Sequence, residues 1–204
     1  MRNLKILLLQ LGNHHSRRDK SELTHRGFRT RDSLSWAYVS YEPGTYSDGL
    51  YYVGSFLKHN LPDAQFDVCQ MLWGDDPDDY PIESYDYIFV SGLGTHFWSN
   101  LAAMRVVKKR KRRDAWSIMG GPHATFAPYE ALKWVDFVVF NEGEVPALQL
   151  IEALETGGDL SAVHNLGYVD DDGLLVTTGM HRYGNLDVAI DPALLKNAPT
   201  LPTP

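Results

Sequence analysis

Apolar runs of strand length recur along this chain, and each is followed by a glycine-rich or polar turn and then by a segment of helical periodicity. Continuous apolar runs are typical of strands buried on both faces, and their alternation with helices is typical of a parallel sheet. We interpret as strands residues 4–11, 64–72, 85–92, 115–121 and 136–144, and as helices residues 48–60, 100–113, 127–135 and 145–158. The pattern predicts an α/β fold with a doubly wound, five-stranded parallel sheet, and a long loop over residues 12–48.

The C-terminal part of the chain has a different pattern. Residues 165–179, "NLGYVDDDGLLVTTG", alternate apolar and polar positions around Asp-Asp-Gly, which indicates a β-hairpin. The residues after it are proline-rich and aperiodic, which favours an extended connector. We therefore expect an α/β domain over residues 1–160, an appended hairpin over 161–184, and a connector to a further domain over 185–204.

Composition limits the classes of function. The 204 residues carry a formal net charge of -7, which disfavours nucleic acid or an anionic membrane as a partner, and "KKRKRR" is then a solvated helix end. The single cysteine, Cys69, excludes an internal disulfide and any multi-cysteine metal site in this chain, and we expect it to be an inert core residue. No apolar run approaches about 20 residues and no targeting segment is evident, so a cytoplasmic protein is expected.

Unusual residues follow the predicted strands. Ligands of open parallel sheets bind outside the carboxyl ends of the strands, where glycines let the backbone approach closely. The candidate ligand-binding residues at these ends are Gly12, Asn13, Trp73, Ser91, Gly92, Thr95, His96, Gly120, Gly121, His123, Ala124, Thr125, Glu142, Gly143 and Glu144. They predict a broad, shallow site for a large planar or amide-rich molecule. A phosphate-binding loop is disfavoured because no GxxxxGK(S/T) motif occurs.

Several motifs together resemble one protein family. "SGLGTHFWSN", "GGPHATFAP", "VDFVVFNEGE", "NLGYVDDDGLL" and "NLDVAIDP" are similar to the N-terminal cobalamin-binding domain of B12-dependent radical S-adenosylmethionine enzymes. The resemblance implies a flavodoxin-like, Rossmann-type fold that holds cobalamin against a catalytic barrel, in cis or in a partner chain. That barrel would bind S-adenosylmethionine and a 4Fe-4S cluster. Its three-cysteine motif is absent here, so we assign no catalytic residue to this chain.

The same resemblance raises the question of what binds the cobalt. Many B12 carriers supply a histidine in an Asp-x-His-x-x-Gly motif, but none of the eight histidines here has an aspartate two residues before it. We therefore expect base-off cobalamin without a histidine ligand, and Trp73 near the lower face of the corrin. His14 and His15 are expected to be solvated. Glu142 and Glu144 are expected to cap the following helix rather than to act in acid–base catalysis.

Two other functions remain open on the sequence. One is an independent Rossmann-type enzyme that binds a nucleotide or sugar nucleotide, and the other is a regulatory interaction domain that uses the basic helix. Visible light absorption distinguishes the three, because cobalamin colours its protein, nucleotides absorb only in the ultraviolet, and an interaction domain carries no ligand.

Overall fold

The computed structural model describes residues 3–15, 48–73, 80–91, 97–184, 186 and 189–196. They form one sheet of seven strands in the order β2-β1-β3-β4-β5-β6-β7. The strands are β1 Lys5–His15, β2 Gln65–Trp73, β3 Tyr87–Ser91, β4 Trp116–Gly120, β5 Phe137–Val139, β6 Leu166–Val169 and β7 Leu175–Thr177.

The sheet is mixed. Strands β1 to β5 pair in parallel, in the order 2-1-3-4-5 that is typical of flavodoxin-like folds. Strand β6 pairs antiparallel with β5, and β7 pairs antiparallel with β6. The predicted α/β fold is confirmed. The predicted hairpin is present, and it extends the same sheet to seven strands because β6 pairs directly with β5.

Helices cover both faces of the sheet. They are α1 Asp48–Asn60, α2 Phe97–Arg110, α3 Pro122–Phe126, α4 Pro128–Leu132, α5 Glu144–Thr156 and α6 Pro192–Lys196. Alternate side chains of β1 enter opposite cores, because successive strand residues point to opposite faces. Ile6 and Leu8 pack in the core that includes residues of α1, α5 and α6, whereas Leu7 and Leu9 pack with residues of α2, α3 and α4. In the described part of the chain, no helix has the length and apolar character needed to cross a bilayer.

Strand β1 is longer than the sequence predicts. The apolar run ends at Leu11, and the loop was expected to begin at Gly12, but the strand continues to His15. It does so because β2 continues beside it, with an irregular register after Leu11 and a last pair between His15 and Trp73. Gln10 is level with Ser91, where the described part of β3 ends, and with Gln70 of β2. Trp73 is three residues past Gln70, so the β1–β2 ribbon continues beyond this level by roughly 10 Å at about 3.3 Å per residue.

Part of the predicted connector packs against α1. The Asp191 amide donates a hydrogen bond to Ser55 Oγ over 2.8 Å, and Lys58 Nζ lies 2.6 Å from Asp191 Oδ2. Leu194 on α6 is 1% exposed and belongs to the core that contains α1. A Cβ at Gly54 would clash with Leu8 Cδ1 of β1 and would lie 3.2 Å from Leu194 Cδ1, so glycine at this position lets α1 pack closely on β1 and leaves room for α6.

Leu194→Ala is expected to lower the free energy of unfolding by about 2–4 kcal/mol, because it removes a buried side chain and leaves a cavity. Leu174→Ala is the matched control, since Leu174 is 61% exposed on the hairpin and its loss should change stability by less than about 0.5 kcal/mol. Urea unfolding measures both. Equal effects of the two substitutions would show that residues 191–196 do not contribute to the core.

Candidate functional site

Three central strands align at the carboxyl edge of the sheet. Gln10 of β1 pairs with Ser91 of β3, and Ser91 pairs with Gly120 of β4. Neighbouring strands lie about 4.8 Å apart, so Gln10 and Gly120 are separated by roughly 10 Å. On the face covered by α1 and α5, the residue two positions before each member of this row is apolar and buried. The apolar core therefore ends at this row, where polar and small residues replace it.

Gly120 has space beside it in the part of the chain that the structure describes. Among those residues, apart from its two chain neighbours, the nearest heavy atom that a Cβ there would meet is the Val139 carbonyl oxygen, at 4.0 Å. Gly120 is not among the residues with positive φ, so its backbone conformation does not require glycine. The space at the end of β4 is thus a cradle that a side chain at position 120 would fill.

Gly121 has a different role from its neighbour. Its φ of 89° and ψ of -176° are rarely adopted by residues with a Cβ, and it precedes the short helix α3. The Thr125 backbone amide and hydroxyl each lie 3.2 Å from the Gly121 carbonyl oxygen that they donate to. Helix α3 was not predicted, and this turn explains why both Gly121 and Thr125 are needed there.

His123 and Ala124 are buried, at 5% and 0% exposure, and Ala124 belongs to the core formed with α2 and α4. Burial lowers the pKa of the His123 imidazole, and the nearby Glu130 carboxylate partly opposes this change. The imidazole is therefore kept neutral near pH 7. A role for His123 and Ala124 in ligand binding stays a prediction.

The lowered pKa of His123 predicts a pH-dependent stability. The unfolded state binds this proton more readily than the folded state, so stability present above the ordinary pKa of about 6.5 is lost as the pH falls below it. His123→Gln should show a smaller loss of unfolding free energy than wild type between pH 7 and pH 5. Parallel pH profiles of the two proteins would contradict the assignment.

The loop after β5 leads into α5. Asn141 has a positive φ of 57°, and Gly143 is the N-cap residue of α5. A Cβ at Gly143 would lie 3.1 Å from Val53 Cγ2, so this loop packs tightly on α1. Glu144 lies in the first turn of α5, where a carboxylate stabilises the helix N-terminus. Glu142 is exposed before it.

The hairpin also contributes to this edge, and the sequence analysis missed its central residue. Asn165 is fully buried, has a positive φ of 55°, and accepts the Phe140 amide on its backbone carbonyl at 2.9 Å. Its side-chain amide donates to the His181 carbonyl at 2.9 Å and accepts the His181 amide at 2.6 Å. The tolerance of asparagine for positive φ was the available signal.

The other predicted site residues divide into two groups. Gly12, Asn13 and Trp73 lie in the projecting ends of β1 and β2, at the same edge as Ser91 and Gly120. Gly92, Thr95 and His96 lie outside the described residues. Within the described ranges, no group of three or more His, Cys, Asp or Glu side chains is placed to hold a metal ion.

The basic end of α2 is paired within the protein. Its ion pairs are Arg110 with Glu83 at 3.0 Å, Lys111 with Asp136 at 3.1 Å, and Arg112 with Asp86 at 2.6 Å. Arg105 and Lys108 lie over the ring of Trp134. Four of the six cations in residues 108–113 thus contact other groups of the same chain.

Solved structures share this architecture. OxsB, a cobalamin-dependent S-adenosylmethionine radical enzyme solved with aqua-cobalamin and S-adenosylmethionine bound, matches 89% of this chain with a TM-score of 0.60 and 14% identity. TsrM from Kitasatospora setae, a radical S-adenosylmethionine methyltransferase solved with cobalamin and a [4Fe-4S] cluster bound, matches 94% with a TM-score of 0.63 and 14% identity. This chain has the fold of part of these enzymes. The resemblance inferred from the sequence motifs is thus confirmed at the level of the fold.

Two curated relatives match shorter segments. The anaerobic magnesium-protoporphyrin IX monomethyl ester cyclase of Rubrivivax gelatinosus is 33% identical over 78 residues, covering 35% of this chain and 14% of the cyclase. An uncharacterised methyltransferase of Pyrococcus horikoshii is 32% identical over 68 residues, covering 32% of this chain and 15% of that protein. This chain covers only 23% of OxsB and 32% of TsrM. No protein-family model matches the chain.

Proposed function

We propose that this chain is a cobalamin-binding module of a B12-dependent radical S-adenosylmethionine enzyme of the methyltransferase type. The observation that carries the proposal is the fold shared with OxsB and TsrM over 89% and 94% of the chain. Bound cobalamin would supply a cobalt centre that carries a methyl group or assists radical chemistry. Catalysis, S-adenosylmethionine and the 4Fe-4S cluster belong to a further domain in cis or to a partner chain.

The residues at the carboxyl edge fit this ligand. A corrin is a broad ring fringed with amides, so it needs open backbone and small or polar side chains rather than a deep apolar pocket. Gly120 offers the open cradle, and Gln10 and Ser91 lie in the same row across β1 and β3. In the proposal, Gly120 would let the corrin approach the backbone, and the polar groups of this row would hold its peripheral amides.

We further infer that cobalamin is held base-off and without a histidine ligand. The absence of the Asp-x-His-x-x-Gly motif supports this, and so does the burial of His123 at the start of α3. Trp73, at the end of β2, stays our candidate for the lower face of the corrin. The Trp73→His variant is expected to add an imidazole near cobalt and to shift the visible spectrum of bound cobalamin toward a nitrogen-ligated form. An unchanged spectrum would place Trp73 away from the metal.

A thermal-shift comparison tests the proposal against the alternatives. A ligand that binds only the folded state raises the melting temperature, by an amount that grows with its concentration over the dissociation constant. Hydroxocobalamin should raise the melting temperature, whereas ATP and UDP-glucose should not. A shift with either nucleotide alone would favour an independent nucleotide-binding enzyme. No shift with any of the three would contradict the cobalamin proposal.

A further inference from the structure

Two imidazoles lie close together beside the hairpin. The ring centres of His164 and His181 are 5.3 Å apart, and both residues are exposed. His164 precedes β6 and His181 follows β7, so both lie at the carboxyl edge of the sheet, on the hairpin side of the loop after β5. The separation of the two rings can be compared with that of two imidazoles bound to one metal ion.

The separation matches tetrahedral coordination. A zinc ion lies about 2.0–2.1 Å from an imidazole nitrogen, and the ring centre lies roughly 1.2 Å beyond that nitrogen. Two imidazoles on one tetrahedral ion therefore have ring centres about 5.3 Å apart. The observed ring-centre distance equals this value, so the two rings are close enough to share one ion once a nitrogen of each turns toward it.

The backbone that carries both rings is held firmly. Asn165, next to His164, is fully buried and pairs with both the amide and the carbonyl of His181. The His181 ring also packs edge-on against the Tyr183 ring, at 4.6 Å between centres. A metal site gains affinity from such pre-organisation, because little freedom is lost when the ion binds.

We propose that His164 and His181 form a two-imidazole site for a borderline divalent transition-metal ion such as Zn²⁺. Neutral imidazole is a common ligand of Zn²⁺, Ni²⁺ and Cu²⁺, and the remaining coordination positions are open to water or to a ligand group. The ion joins a residue before β6 to a residue after β7. It thereby closes the base of the hairpin beside the loop that leads into α5. Neither histidine is among the residues proposed to contact cobalamin.

The test needs a readout specific to each histidine, because any exposed histidine can coordinate an added transition-metal ion. Tag-free protein is stripped with a chelator and titrated with Zn²⁺, and the imidazole nitrogen resonances are followed by long-range ¹H–¹⁵N correlation spectra. In wild type, the signals of His164 and His181 should shift together. In His164→Ala, the His181 signal should stay at its metal-free position at the same Zn²⁺ concentration. His59→Ala, which removes an exposed histidine at the end of α1, is the matched control and should behave as wild type.

Two results would overturn the proposal. In one, the His164 and His181 signals do not respond to excess Zn²⁺. In the other, His181 responds equally in wild type and in His164→Ala, so the two rings do not share an ion. Both substitutions are at exposed positions, so loss of the fold is not expected to obscure the result.

Discussion

Gly120→Leu is expected to weaken hydroxocobalamin binding by about 10- to 100-fold while leaving the free energy of unfolding near that of wild type. The new side chain would enter the cradle at the end of β4, where a Cβ meets no atom of the described, non-adjacent residues nearer than 4.0 Å. Overpacking of this kind costs about 1–3 kcal/mol. If the ligand must share the space with the new side chain, this cost corresponds to the expected 10- to 100-fold rise in the dissociation constant. Equilibrium titration followed by visible absorption measures it.

Two variants make this experiment specific. Gly120→Ala adds one methyl group and should weaken hydroxocobalamin binding less than Gly120→Leu does, because the loss of affinity increases with the volume added. Gly121→Val should reduce both stability and binding, since the φ of 89° strains any residue with a branched side chain by about 1–3 kcal/mol. If Gly120→Leu binds hydroxocobalamin as wild type does, the ligand does not lie against β4.

Asp86→Ala is expected to lower the free energy of unfolding by about 2–4 kcal/mol. Asp86 is 7% exposed at the amino edge of the sheet, and its carboxylate accepts the Lys5 amide at 2.8 Å and Arg112 Nη2 at 2.6 Å. Its backbone accepts the Trp116 amide and donates to the Lys5 carbonyl, so one residue joins β1, β3 and β4. Truncation removes the acceptor of a partly buried amide. Urea unfolding should show the loss as a lower midpoint with an unchanged slope.

The matched control is Glu83→Ala. Glu83 pairs with Arg110 at 3.0 Å, but its side chain is 53% exposed, and exposed ion pairs contribute less than about 1 kcal/mol. Both variants should still bind hydroxocobalamin under conditions where they are folded, because Asp86 and Glu83 lie far from the carboxyl edge. Equal stability of Asp86→Ala and Glu83→Ala would contradict the role given to the buried carboxylate.

The main elements of the fold were predictable because their signals are local. The apolar runs gave β1 to β5, and Asp-Asp-Gly gave the hairpin, since strand length and turn chemistry are properties of neighbouring residues. The partner of a strand is not a local property. The pairing of β6 with β5, and the extension of β1 to His15 beside β2, depend on contacts between distant segments. Docking of Leu194 on α1 escaped prediction for the same reason.

The sequence indicated the carboxyl edge of the sheet as the candidate site, but it did not indicate how the residues there are arranged. Adjacent glycines look equivalent in a sequence, yet Gly120 leaves an open cradle and Gly121 provides a positive φ. In the sequence, Asn165 is simply a polar residue that precedes a strand, and its side chain bonds to His181, which is 16 residues away. These distinctions depend on backbone conformation and on long-range contacts, which no periodicity encodes.

Retention of cobalamin tests the central claim most directly. Tag-free protein is mixed with excess hydroxocobalamin and separated by gel filtration, and the visible spectrum of the protein peak is recorded. We expect about one cobalamin per chain, with the spectrum of cobalamin whose own base is displaced and which has no nitrogen ligand from the protein. A colourless protein peak would contradict cobalamin binding itself, and a peak with a nitrogen-ligated spectrum would contradict the proposed base-off state without a histidine ligand.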